Sequence, residues 1–339
     1  MNNQSYPYAM GRVRAVERKM LTRGQFDRMI EARSAEDAFR ILHEAEYGGA
    51  EPDAQFAARD YERVLEAEGG KLAAFIAEIS PEPGLLNIFL LRFDYHNLKV
   101  LLKAEFQNIA GDLLLSASGV IPPEKLTHIV RERTFSDLPA PMAAGAEDAI
   151  GAYMQSVTIQ APDPQAIDIK LDQAMYAHML GEAQKLGSPF IEQLIKVYID
   201  IANIGAFLRV REMHKSADFL RAALIPGGGA DHGLFARYLQ ENLDGFTGAM
   251  QYTTYGALCA DGVRGYLATG SLTAFERYAD DYVNAYIQKA KLFPAGLEII
   301  AAYYVARQAE IKNVRIVMVG KINDIAQDVI RERLRECYV

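Results

Sequence analysis

The chain has 339 residues, half of them apolar and 24% charged, a composition of globular type that is long enough for two or three domains. Its formal net charge of −8 argues against a general nucleic-acid binder, which needs clustered Lys and Arg in excess to neutralise phosphates. Only Cys259 and Cys337 are present, far apart and without a CxxC spacing, which argues against a disulfide framework or a structural zinc and fits a reducing compartment.

The opening MNNQSYPYAM lacks a basic stretch followed by an apolar one, so no secretory signal is expected. In RVRAVERKMLTRGQFDRMIEA the apolar positions Val13, Val16, Met20, Phe26 and Met29 recur at helical spacing, with an interruption expected at Gly24. Arg12, Arg14, Arg18, Lys19 and Arg23 crowd this region, whereas 44–68 is strongly acidic; the readings are two solvated faces or a steered protein interface. SAEDAFRILHEAEYG reads as a helix capped by Ser34, with Glu36 and Asp37 in its first turn and its end at Gly48. Short punctuation follows at SPEPG (80–84), GVIPPEK (119–125), LPAPMAAG (138–145), APDPQ (161–165) and IPGGGADHG (225–233). No run of alternating β-branched residues interrupts the helical pattern, so the predicted fold class is all-α. The most apolar segment, PFIEQLIKVYIDIANIGAFL, carries Glu192, Lys196 and Asp200, and no direct membrane span is expected.

An internal repeat organises the chain. Shifting the stretch from Tyr61 by 106 residues onto that from Ile167 pairs Pro83 with Pro189, Asp94 with Asp200, Asn97 with Asn203 and Lys103 with Arg209. A further shift of 110 places Asn313, in AEIKNVRIVMVGK, on Asn203. An apolar stripe at i, i+3, i+7 accompanies each copy: Tyr95, Leu98 and Leu102; Ile201, Ile204 and Leu208; Ile311, Val314 and Met318. Three similar helical-bundle domains are expected, at 1–117, 118–224 and 225–339, with the last helix able to pack back on the first domain. Three alike units suggest a pseudo-threefold body.

The copy FDYHNLKVLLKAEF (93–106) tempts a catalytic reading, with Asp94 orienting His96 as a base. Residues two apart on a helix point about 200° away from each other, so the pair cannot meet. His96 gives way to Ala202 in the second copy, while the Asn persists in all three. Asparagine is disfavoured inside a helix, and a buried amide must be bonded. Asp94, Asn97, Asp200, Asn203 and Asn313 are therefore read as structural repeat markers, each Asn tying its helix to the backbone of a neighbouring loop or helix end. Elsewhere PGGGADHG lacks the GK[ST] of a phosphate loop, and Asp280 with Asp281 reads as a solvated pair. Tyr252, Tyr255, Tyr303 and Tyr304 read as packing or interface aromatics, and no HExxH spacing occurs. No catalytic, cofactor-binding or metal-ligating residue is assigned.

YPYAMGRVRAVERKML, FDYHNLKVLLK and AEIKNVRIVMVGKIN together resemble the C subunit of bacterial and archaeal V-type (A-type) ATPases, counterpart of the d subunit of the eukaryotic V-ATPase, over essentially the whole chain. The resemblance implies a non-catalytic central-stalk rotor subunit, peripheral to the membrane on its cytoplasmic side. It implies a funnel of three domains on the membrane rotor ring of proteolipid subunits, holding a central shaft made of the D and F subunits. Torque would pass through it for ATP-driven ion transport, proton transport included, or for ATP synthesis. The second copy departs from the first, with Gly205 where the first has Lys99, so the domains are not expected to make equivalent partner contacts. The turns at Pro122, Pro139 and Gly227 are candidate contacts. The rival readings are a helical scaffold or adaptor unrelated to ATPases and an all-α enzyme; the latter requires facing acidic motifs, of which the sequence offers one weak pair.

Overall fold

The computed structural model describes residues 5–47, 57–109 and 114–339, and among these the fold is all-α. It begins with α1 (Ser5–Glu17), α2 (Arg23–Glu31), α3 (Ala35–Glu44), α4 (Tyr61–Ile79) and α5 (Gly84–Gln107). The middle of the chain forms α6 (Pro123–Glu132), α7 (Ala140–Thr158), α8 (Gln165–Leu186), α9 (Pro189–Glu212), α10 (Ala217–Ala223) and α11 (His232–Tyr238). The rest forms α12 (Leu243–Met250), α13 (Gly256–Thr269), α14 (Thr273–Gln288), α15 (Leu297–Ile322) and α16 (Gln327–Arg333). None of the described helices is long and apolar enough to cross a membrane.

Two boundaries differ from the sequence reading. The break expected at Gly24 falls at 18–22 instead, and Gly24 sits in the first turn of α2. There Thr22 N–H donates to Gln25 Oε1 at 2.9 Å, so a local cap, rather than the glycine, sets where the helix begins. Ser34 does cap α3, accepting the Asp37 amide at 3.0 Å. The helix stops at Glu44 because Glu46 turns left-handed (φ 63°) and Tyr47 N–H reaches back to Leu42 O. Gly48, the expected stop, lies outside the described residues.

The chain gathers into two compact units, 84–242 and 1–83 with 243–339. In the first, α7 and α8 lie so close that a side chain at Gly145 would collide with Ala174. The other side of α8 rests on α5, where Lys99 meets Asp172 at 2.5 Å and Lys103 meets Asp168 at 2.8 Å. In the second unit α15 is the central rod, touched by α1, α2, α3, α4, α14 and α16. Its burial explains its composition: Ala301, Ala302, Val314, Val317 and Met318 are all fully or almost fully enclosed. The repeat keeps its register in three dimensions. Adding 106 to α4 and α5 lands on α8 and α9, and adding 110 to α10 lands on the span of α16.

Candidate functional site

Each long helix, α5, α9 and α15, carries an acid and, one turn on, an asparagine, both enclosed: Asp94 and Asn97, Asp200 and Asn203, and in the third copy Glu310 and Asn313. Residues three apart on a helix face the same side, so each pair can grip one returning segment. Asn97 Oδ1 accepts the amide of Ser116 at 2.7 Å and its Nδ2 donates to the carbonyl of the same residue at 2.8 Å. Asn203 does the same to Ile225 at 2.7 and 2.8 Å, and Asn313 to Arg335 at 2.9 and 3.1 Å. An amide side chain is the one group that matches a residue's N–H and C=O together, which is why Asn appears inside these helices against its propensity.

The acid takes the next stretch of the same segment. Asp94 accepts the amides of Val120 and Ile121 at 3.1 and 2.9 Å; Asp200 accepts those of Gly229 and Ala230, both at 2.9 Å. The residue just before each pair of amides is glycine, and a Cβ at Gly119 or Gly228 would strike the carboxylate. Burial holds the Asp94 carboxyl above its ordinary value, opposed by the two amides that bind its ionised form.

The third copy solves the same problem with other residues. Glu310 accepts the amide of Leu21, from the opposite end of the chain. Leu21 precedes Thr22 and α2 as Ile121 precedes Pro122 and α6, and as Ala230 precedes Asp231 and α11. The short helices α2, α6 and α11 are thus equivalent, and α2 serves the third copy. Their far ends are fastened too. Arg211 donates to the carbonyls of Tyr238 and Leu239 at the end of α11 (3.2 and 2.6 Å), and Lys321, 110 residues on, to Ile30 and Ala32 at the end of α2 (3.3 and 2.5 Å). In the first copy Glu105 holds Arg133, the left-handed cap of α6, at 2.5 Å. Acid and fastening residue are eleven positions apart, about 16 Å of helix, the length of a short helix with its caps. Negative charge meets the amino end of each short helix, and in two copies positive charge meets the carboxyl end, as the helix dipole favours.

A buried charge network surrounds Glu310. Arg307 pairs with Glu310 and, at 2.9 Å, with Glu68, while the Tyr47 hydroxyl donates to Glu310 Oε1 at 2.7 Å. Burial raises the Glu310 carboxyl, Arg307 opposing, and burial followed by Glu310 raises the Tyr47 hydroxyl well above its ordinary value. A cleft of about 190 Å³ opens beside them, lined in part by Lys19, Glu46 and Lys71. Its charges are already paired, Lys19 with Glu46 at 2.7 Å and Lys71 with Glu68 at 2.9 Å, so it offers a ligand little net charge.

His96 is exposed, with Nε2 3.1 Å from the Leu114 carbonyl. Asp280 and Asp281, expected to be solvated, are half-buried and bonded to Arg335 Nε and the Glu336 amide, both at 2.7 Å, because 334–339 folds over them. Of the tyrosines, Tyr255, Tyr303 and Tyr304 are buried, while Tyr252 is 89% exposed. Sequence reasoning set Glu310 against His96 and so missed it as the third acid; the 110-residue shift that found Asn313 places Glu310 on Asp200 and Lys312 on Ala202. The fastening residues Arg211 and Lys321 carry the same shift.

Residues 9–333 match the ATP synthase (C/AC39) subunit family. The chain belongs to this family. The C subunit of the V-type sodium ATPase of Enterococcus hirae is 26% identical over 326 residues, spanning 96% of this chain and 97% of its own. The C subunit of the A-type ATP synthase of Methanocaldococcus jannaschii is 24% identical over 348 residues, spanning 97% and 86%, and that of Pyrococcus horikoshii 24% over 324 residues, spanning 92% and 85%. This C/AC39 chain is a structural subunit of its complex.

Proposed function

We propose that this chain is the central-stalk rotor subunit of a V- or A-type ATPase, linking a shaft of D and F subunits to the membrane ring of proteolipid subunits. It works peripherally on the cytoplasmic side, as three similar domains (1–117, 118–224 and 225–339) forming a pseudo-threefold funnel. The shaft seats in the funnel, and the complex uses the coupling for ion transport or ATP synthesis.

The observation that carries this reading is that each repeat fastens a short helix to its long helix at both ends. A part that transmits torque must not let its helices slide past one another, and directional hydrogen bonds and ion pairs at both helix ends resist that slip better than apolar contact, which is non-directional. The relatives, named as C subunits of a V-type sodium ATPase and of an A-type ATP synthase, support membership of such a complex.

The test is native mass spectrometry of the full chain mixed with the D and F shaft subunits. A one-to-one-to-one complex is expected, and addition of the ring in detergent should capture it. Absence of association at low salt, where complementary charge is least screened, would overturn the reading.

A further inference from the structure

Helices α13 and α14 pack as an antiparallel pair with a tight register: a Cβ at Gly265 would strike Ala274, one at Gly262 would strike Phe275, and the Tyr255 and Tyr282 rings lie 5.2 Å apart. That register brings the turn 251–255, which leads into α13, level with the last turn of α14 and with the single 3₁₀ turn that follows it, Lys289–Leu292. The two turns make one end of this unit. Its outward side chains are Tyr252, Leu292 (85% exposed) and Phe293, with Lys289 and Lys291 beside them.

This end is held in shape from within. Ile287 and Ala290 are buried beneath the turn, and the Phe293 amide donates to the Ala290 carbonyl at 3.2 Å. Residues three apart eclipse each other in a 3₁₀ turn, so Lys289 and Leu292 stand on one edge. Lys291 Nζ is steadied by the Tyr338 carbonyl at 2.9 Å, and Lys289 Nζ lies 5.0 Å from the centre of the Tyr286 ring. The charge is of one sign: 245–260 and 282–297 contain no acid, and Lys289 and Lys291 are their only charged residues, in a chain of net charge −8. Two such projecting turns suit a protein partner poorly, since that requires about 800 Å² of fitted surface on each side with an enclosed anchor at its centre. A lipid surface makes no demand for fit. It takes Leu and Phe below the headgroups, holds Tyr at their level, and lets lysine stems lie along apolar side chains while the ammonium groups reach phosphate.

We propose that the end formed by Tyr252, Leu292 and Phe293, with Lys289 and Lys291, docks directly on an anionic phospholipid surface. The attraction is modest, because three side chains enter the headgroup region and each lysine adds about fivefold on anionic lipid. It orients the chain at a membrane without anchoring it. The contact is separate from those with the shaft and the ring proposed above, and its failure leaves them standing.

The chain has no tryptophan, so Leu292→Trp in the full chain supplies a single fluorescent reporter at an exposed position. Vesicles of equal phosphatidylglycerol and phosphatidylcholine should shift its emission to the blue, whereas Leu267→Trp, exposed at the far end of α13, should not respond. In vesicle flotation the unsubstituted chain should bind this mixture roughly tenfold or more tightly than pure phosphatidylcholine, and Lys289→Gln with Lys291→Gln should remove the preference. Tyr252→Ser with Leu292→Ser should weaken binding about tenfold and leave Tm unchanged, since both side chains already stand in water. An unshifted Leu292→Trp spectrum, equal binding to the two kinds of vesicle, or undiminished binding by the serine variant overturns the proposal. Capture by the ring in detergent that depends on Leu292, with no binding to vesicles, would make the occupant a protein and also overturns it.

Discussion

Glu310 accepts the amide of Leu21 at 2.5 Å across 289 residues of sequence. The contact repeats what Asp94 does for Ile121 and Asp200 for Ala230, so the third copy is completed by the start of the chain. Replacing Glu310 with leucine strands the Leu21 amide and removes the acceptor of the Tyr47 hydroxyl proton, and it leaves Arg307 with the Glu68 carboxylate and the Tyr47 oxygen. Removing one member of a buried charge network costs about 3–5 kcal/mol. Urea unfolding should report a loss of that order, and amides of α2 should exchange faster; a loss under about 1 kcal/mol would contradict the bracing role.

The three asparagines should not be equally sensitive. Ile225 and Arg335 are buried, whereas Ser116 is half-exposed and can exchange its bonds for water. Each stranded buried group costs about 1–3 kcal/mol. Asn203→Leu and Asn313→Leu should therefore each lower stability by about 2–5 kcal/mol in chemical unfolding, and Asn97→Leu by less. An equal loss at all three would show that helix repacking, and not the stranded backbone, sets the penalty.

Neighbouring glycines separate packing from backbone freedom. A methyl at Gly228 meets the Asp200 carboxylate, while one at Gly229 makes ordinary contact at 3.4 Å. Gly228→Ala should cost about 1–3 kcal/mol, the usual range for an overpacked site, and Gly229→Ala clearly less. Thermal melts of the two variants side by side are sufficient. Gly119→Ala should behave like Gly228→Ala, since Asp94 stands in the same place.

His178 is buried with Nδ1 3.3 Å from the Tyr95 hydroxyl. Burial holds its imidazole below the ordinary value of 6.5, with Glu182 opposing and Lys185 reinforcing the effect. The unfolded chain therefore takes up a proton near pH 6.5 that the folded chain refuses. Stability from the neutral imidazole is complete above that pH and is lost as pH falls through the lower folded value. Tm should decline from pH 7 to pH 5, and His178→Gln should flatten the decline. Asp94 and Glu310 act in the opposite sense: burial raises both, so each favours the folded state more as pH falls and less as pH rises through its folded value.

How much was legible follows from what each signal depends on. Helical period, the Ser34 cap and the repeat of Asn97, Asn203 and Asn313 are properties of spacing along the chain, so the all-α fold and the family resemblance could be read without coordinates. The ends of α2 and α3 could not, because Thr22 with Gln25 and the left-handed Glu46 outcompeted the nearby glycines. The third acid, Glu310, was hidden because a two-residue slip in register set it against His96 and not against Asp94 and Asp200.

By itself, the sequence determined that long helices recur three times and that each carries an amide needing a backbone partner, because helix periodicity and the demand for buried hydrogen bonds are local. Only the tertiary structure decided which backbone that is: Ser116, Ile225 and Arg335, and, for the third acid, Leu21 from the far end of the chain. Those partners lie 19 to 289 residues away, and pairing over such separations is chosen by the packing of the whole body, which no local pattern encodes.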